Sequence, residues 1–119
     1  MYELTIKDTV YKFHFGIGFI SKINNTVKTA VAGFNGVQKP MGFLYHTASL
    51  VDGDATSLVE ILLYGNEGQS PRLTRKAIEE WIDDPETDID AEIQKVLDFL
   101  STQNACKKTM QAVLPEKRK

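Results

Sequence analysis

The sequence predicts an α+β domain that is mainly helical, with an N-terminal β-hairpin packed on four to five short helices. Three observations lead there. Apolar residues alternate with polar ones over residues 2 to 15, the two-residue period of a half-buried strand. Beyond residue 41 the period changes to three and four, in segments bounded by cap and breaker residues. The chain has 119 residues, the size of one ordinary domain and too short for two independent cores.

The hairpin comes first. Tyr2, Leu4 and Ile6 alternate with Glu3, Thr5 and Lys7, and Tyr11, Phe13 and Phe15 alternate with Lys12 and His14. Each set falls on one face of a strand, with Lys7-Asp8-Thr9-Val10 as the turn. A lone two-stranded hairpin is marginal in water, so its apolar face must lie on the helices that follow. Phe19, Ile20 and Ile23 have helical spacing and Asn24-Asn25 is a stop, but Gly16 and Gly18 predict a short helix or one that starts after Gly18. Residues 26 to 40 leave two readings. Val27, Ala30, Val31 and Phe34 are spaced as in a helix, whereas Gly33, Gly36 and Pro40 break it, so a short helix and a mobile loop both stand.

Better punctuated helices follow. Met41 to Val51 carries Leu44, Tyr45, Ala48 and Val51 on one face and closes at Asp52-Gly53. Asp54 is an N-cap for a helix with Leu58, Ile61, Leu62 and Gly65, closed by Gly65-Asn66. Thr74 caps the next, with Leu73 placed to staple onto Ile78, and that helix stops before Pro85. Asp88 caps a last helix whose Ile89, Ile93, Val96, Leu97 and Leu100 form one stripe, running to about residue 104 or beyond. Residues 1–106 thus read as a single globular domain and residues 107–119 as a basic, flexible tail.

Composition excludes several classes. Hydrophobic residues at 42% and charged residues at 25% describe a globular chain, not a disordered one. No apolar run approaches the roughly 18 residues of a membrane span, and the N-terminus has no signal-peptide pattern. One cysteine, Cys106, leaves no internal disulfide and no cysteine-based zinc site, which fits a reducing cytoplasm. A net charge of −2 argues against general nucleic-acid binding. The charge is uneven: nine acids against Lys95 alone lie between Glu79 and Asp98, and five bases against Glu116 from Lys107 onward. A terminal block of that kind reads as a solvated tail.

No constellation of catalytic or ligand-binding residues emerges. His14 and His46 lie in different elements with no further ligand at metal spacing. Cys106 precedes Lys107-Lys108, and neighbouring cations lower a thiol pKa, but no base or oxyanion site accompanies it. The acids from Asp83 to Asp90 lack the glycine turn and distal glutamate of a calcium loop; Asp88, Asp90 and Glu92 instead suit the first turn of a helix. Gly16-x-Gly18 follows a strand, yet Ser21 stands where a dinucleotide fingerprint needs its third glycine, and a hairpin precedes it. Tyr11, Phe13, Phe15 and Phe19 have no basic surround and read as core, not as a base-stacking platform. No catalytic, cofactor or metal residue is assigned, and no partner-binding face.

The aromatic strand Tyr11-Lys-Phe13-His-Phe15-Gly-Ile-Gly18-Phe19-Ile20 running into a short helix and Asn24 resembles the tail assembly chaperones of long-tailed phages and prophages of Gram-positive bacteria. So does the later order: a helix after Asp52-Gly53-Asp54, Leu73-Thr74 opening a helix through Ile78 to Ile82, Asp83-Asp84, and an acidic-to-amphipathic helix ending in lysines. The resemblance covers roughly residues 2 to 110 and leaves 26 to 40 unplaced. It implies a non-enzymatic protein of the host cytoplasm, absent from the mature virion. Its partners would be the tape measure protein, which it keeps soluble, and the tail tube protein, whose subunits it recruits, with self-association along a long partner. A frameshifted longer form is a feature of the family, and Lys107-Lys108 is a pair that a slippery codon run would encode.

Other classes fit less well. A head–tail connector component of similar size would assemble into rings and stay in the particle. A DNA-binding regulator would use the Thr74 to Asp84 helix, where Glu79, Glu80, Asp83 and Asp84 repel phosphate. A tube gene upstream and a very long reading frame downstream would point to the chaperone.

Overall fold

The computed structural model describes residues 1–114. Strands β1 (Tyr2–Ile6) and β2 (Thr9–Phe13) pair antiparallel, Tyr2 opposite Phe13 and Ile6 opposite Thr9. Lys7 and Asp8 between them both have positive φ, 49° and 67°, the mirror-image turn whose twist suits a tight hairpin. β2 ends earlier than the alternation implies. The His14 amide leaves the ladder and donates to the Gly65 carbonyl at 2.8 Å, so His14 is exposed beyond the strand while Phe15 turns into the core.

Helix α1 (Ile17–Asn24) starts before Gly18, which sits in the first turn. The next segment overturns both readings of residues 26 to 40. It is a second antiparallel ribbon, β3 (Lys28–Ala30) with β4 (Gln38–Pro40), Lys28 opposite Pro40 and Ala30 opposite Gln38. The glycines that broke a helix pattern build its tip. Phe34 N–H donates to Val31 O and Val37 N–H to Phe34 O, two successive turns, and Gly33 (φ 82°) and Gly36 (φ 77°) each occupy the third position. Ala32 and Asn35 keep negative φ, so these are type II turns, which require that glycine conformation. Val31 N–H donates to Val37 O and closes the loop.

Helices α2 (Gly42–Val51), α3 (Ala55–Asn66), α4 (Arg75–Asp83) and α5 (Ile89–Leu100) match the expected segments. Their caps are the expected ones: Asp54 accepts from Thr56 N–H, Thr74 from Ala77 N–H and Asp88 from Ala91 N–H. Leu73 and Ile78, the expected staple, are both buried. α5 stops at Leu100, short of residue 104, because Ser101 Oγ and Thr102 Oγ1 turn back onto the carbonyls of Leu97 and Phe99 and the chain enters successive turns.

The second correction is at the C-terminus. Lys107–Val113 form α6, packed on α2 and α5, with Met110 and Leu114 buried. The folded body therefore extends through Leu114, eight residues past the expected boundary at 106. Lys107 and Lys108 lie on the exposed side of that helix, which is why the stretch reads as a solvated tail. Residues 115–119 of the expected tail lie outside the described residues.

Six helices and two ribbons thus make up the described residues. α3 is the hub, touching β2, α1, α2, α4 and α5, with Leu58, Ile61 and Leu62 fully buried. Aromatic rings tie the first hairpin to the helices: Tyr2 to Phe99 at 5.2 Å, Phe15 to Phe19 at 5.0 Å, and Phe19 to Phe43 at 5.6 Å. The last two pairs meet edge-on, and edge-on ring pairs add to plain area burial. No described helix is long and apolar enough to cross a membrane.

Candidate functional site

The second ribbon does not share in this core. All six of its ladder residues are exposed, and its tip carries Phe34 and Val37 at 63% and 49% exposure. Just beyond its base α2 exposes Leu44 and Tyr45, and at its far end α1 exposes Ile17. A groove of ≈340 Å³ runs between these elements. Its walls are Ile20 and Asn24 of α1, Thr29, Lys39 and Pro40 of the ribbon, Met41, Phe43 and Leu44 at the start of α2, and Ala105 and Thr109 near α6. Ile17, Ile20 and Asn24 are three and four residues apart on α1, so Ile17 extends the same row. The result is a largely apolar shelf with Asn24, Thr29, Lys39 and Thr109 as its polar wall residues.

Two interactions hold the shelf in shape. Asn24 Oδ1 accepts from Phe43 N–H at 2.9 Å and supplies the side-chain partner that the start of α2 otherwise lacks, since Met41 makes no side-chain cap. Met41 N–H donates to Val27 O at 2.8 Å, fastening the ribbon's base to the entry of α2. Behind it, His46 is buried with Nδ1 3.0 Å from Ser57 Oγ and Nε2 3.4 Å from Thr26 Oγ1. Burial lowers its pKa, against the opposing pull of the Glu60 and Asp54 carboxylates.

A second groove, ≈410 Å³, lies between α3 and α4. Ala55, Val59 and Ile82 give it an apolar floor, with Thr56, Glu60, Arg75, Glu79 and Asp83 around it. Arg75 makes a bidentate pair with Glu60, at 2.6 and 3.3 Å, and that hydrogen bonding raises the guanidinium pKa. Glu79 and Asp83 have no ion-pair partner among the described residues, so this groove is negative.

One groove is thus lined mainly by apolar residues, and the other sets four ionisable side chains around an apolar floor. A sequence model of the phage tail assembly chaperone protein family (TAC) matches residues 3–114. The chain belongs to that family. The match ends where the described fold ends, so it includes both the ribbon and α6. No curated protein and no solved structure matches the chain.

In this tail assembly chaperone the residues singled out from the sequence fall in separate places. His46 is a hydrogen-bonded core histidine, and His14 is a surface residue. Cys106 is buried, its Sγ 3.5 Å from the Phe15 carbonyl, and burial pushes the thiol up to about 11. Such a thiol is a poor nucleophile at neutral pH. Asp84 and Asp88 accept backbone N–H groups at helix and turn starts, and no group of three potential metal ligands occurs among the described residues. Phe13, Phe15 and Phe19 are core. Burial, with a smaller contribution from Glu92, holds the Tyr2 phenol up at about 12.

The shelf is not legible in the sequence because Thr29, Lys39 and Pro40 lie in the stretch that reads as a loop or helix, and its other walls come from separate segments. A signal was present. Val31-Ala-Gly-Phe34 and Phe34-Asn-Gly-Val37 each place glycine third, two turn motifs in tandem, between Val27/Thr29/Val31 and the segment leading to Pro40.

Proposed function

We propose that this chaperone binds the tape measure protein through the shelf formed by α1, the second ribbon and the start of α2, keeps it soluble, and helps bring tail tube subunits to it. The observation that carries this reading is the set of apolar residues Ile17, Ile20 and Leu44 at a groove whose one charged wall residue among the described residues is Lys39. The tape measure is a long, largely helical chain with apolar faces, and an amphipathic helix laid into a groove is the standard way to cover such a face. A small contact surface with polar edges also suits a partner that must later be released as the tube grows, since interfaces well below about 1,200 Å² are typically transient. The work is binding and not catalysis, it takes place in the host cytoplasm, and the protein leaves before the particle matures.

The test is co-expression with overlapping tape measure fragments, with Ile17→Asp and Leu44→Asp as variants. Both positions are well exposed, and an aspartate in the first turn of α1 complements the helix dipole, so the fold is kept. The unaltered protein should hold at least one fragment in solution and co-purify with it, and the variants should lose it. Fragments that stay soluble equally well with the double variant would refute the shelf. The same protein detected in purified virions would favour a structural role in the particle instead.

A further inference from the structure

The charges of this chain are divided between two parts of the fold. Apart from Glu3, Asp8 and Glu116, every carboxylate lies between Asp52 and Asp98, so none occurs from Thr9 to Val51 or from Phe99 to Leu114. Those two stretches supply every wall of the shelf: α1, both strands of the second ribbon, the start of α2 and the turn into α6. They carry lysines instead. Lys39 is itself a wall residue. Lys28 stands opposite Pro40 across the ribbon, and directly opposed residues share a face, so Lys28 flanks another wall residue. Lys108 is three positions from Ala105 and next to Thr109, the two walls nearest α6. All three lysines are exposed, and none makes an ion pair among the described residues. Lys22 of α1 differs, being held by Glu67 of the acidic part.

We propose that the shelf selects an acidic amphipathic helix: a segment of the tape measure protein whose apolar row lies along Ile17, Ile20 and Leu44 and whose flanking carboxylates face Lys28, Lys39 and Lys108. This rests on the shelf being the tape measure's binding site, and adds the chemistry by which it chooses among segments of that chain. A lysine's methylene stem lies along apolar surface while its ammonium stays in water at the edge. Each of the three can therefore meet a carboxylate without either charge being buried. Exposed pairs of this kind are individually weak, so they choose the partner and speed its arrival more than they hold it. That suits a contact that must later break. The acids on α3, α4 and α5 repel the same segment from the other side of the molecule, which leaves the shelf as the face that attracts it. A basic segment is turned away by the three lysines, and a nucleic acid would leave the apolar walls uncovered.

Fluorescence anisotropy of the full chain against overlapping, dye-labelled tape measure peptides, each about 25 residues or about seven helical turns, tests it. The tightest binders should be acidic amphipathic segments, and their affinity should fall severalfold as salt is raised toward about 1 M, where the Debye length shrinks to about 3 Å. Lys28→Glu/Lys39→Glu/Lys108→Glu changes three exposed side chains, and a glutamate at 108 suits the first turn of α6, so the fold is kept. An exposed pair is worth up to about fivefold in affinity, so reversing all three should weaken these peptides by roughly 10-fold or more. The decisive sample exchanges the charges: a peptide with its glutamates changed to lysine should lose the unaltered chain and regain the triple variant. Leu44→Ser removes apolar area and no charge, and so separates the two readings. If it abolishes binding while the lysine variant binds normally, the charge proposal falls and the shelf stands. If Leu44→Ser leaves binding intact, the shelf itself is refuted. Tightest binders that are basic or uncharged, a charge exchange that restores nothing, or a single-stranded DNA of equal length that competes as well as the peptide would each overturn the proposal.

Discussion

Replacing Asn66 by alanine should be among the most damaging single changes in this fold. The side chain is fully buried at the C-terminal end of α3 and makes four contacts. Nδ2 donates to the carbonyls of Lys12 at 2.9 Å and Pro71 at 3.2 Å, while Oδ1 accepts from Leu73 N–H at 2.6 Å and from Arg72 Nη1 at 3.1 Å. One amide thereby ties the first hairpin, the hub helix and the loop leading into α4. After truncation the Leu73 N–H is stranded in the core, where an unpaired group costs about 1–3 kcal/mol. The Lys12 and Pro71 carbonyls are partly buried and lose less, and the small void left adds about 1 kcal/mol. The total is about 3 kcal/mol, against a whole-domain stability of about 5–15 kcal/mol. Urea unfolding followed through the fluorescence of Trp81 on α4 would measure it as a lower midpoint at constant slope. In a thermal scan the drop should be about 10 °C. Asn24→Ala is the comparison: the same side chain holds one backbone N–H at a partly exposed position and should cost about 1 kcal/mol. If Asn66→Ala lost less than about 1 kcal/mol, or no more than Asn24→Ala, the argument from burial would be wrong.

Three further outcomes follow from the packing. Gly65→Ala places a methyl against the Phe15 ring, which cannot retreat because Phe19 and Phe99 flank it, so we expect a loss of about 1–3 kcal/mol in the same urea assay. Removing residues 107–119 deletes the buried Met110 and Leu114 together with the helix that carries them, a loss of about 4 kcal/mol or more; an unchanged unfolding curve would contradict the packed C-terminus. His46 sets a pH dependence. Its pKa is lower folded than the unfolded value of 6.5, so the unfolded chain binds the proton first, and stability falls as pH drops below about 6.5 until the folded group also titrates. A His46→Gln variant should lose that slope, and an identical slope in both proteins would assign it to other groups.

The parts of this molecule legible in its sequence are those decided within a few residues. Asp54, Thr74 and Asp88 each bond an N–H two or three positions ahead, so their helix starts are written locally. The Lys7-Asp8 turn is equally local, and the spacing of Leu58, Ile61 and Leu62 marks a buried helix face wherever that helix packs. The family itself was legible at this level, from the order of residue types along the chain. What the tertiary structure decided is what depends on distant partners. Asn66 finds Lys12 at 54 positions' separation, and His46 finds Thr26 at 20. α6 looks like a charged tail until α2 and α5 supply a surface for Met110. The second ribbon is built by local glycine turns, but its projection from the body, and the grooves at its base and between α3 and α4, exist only once helices from distant parts of the chain stand side by side. Periodicity records which face of an element is apolar, whereas a surface between elements is a property of their arrangement, which no single segment encodes.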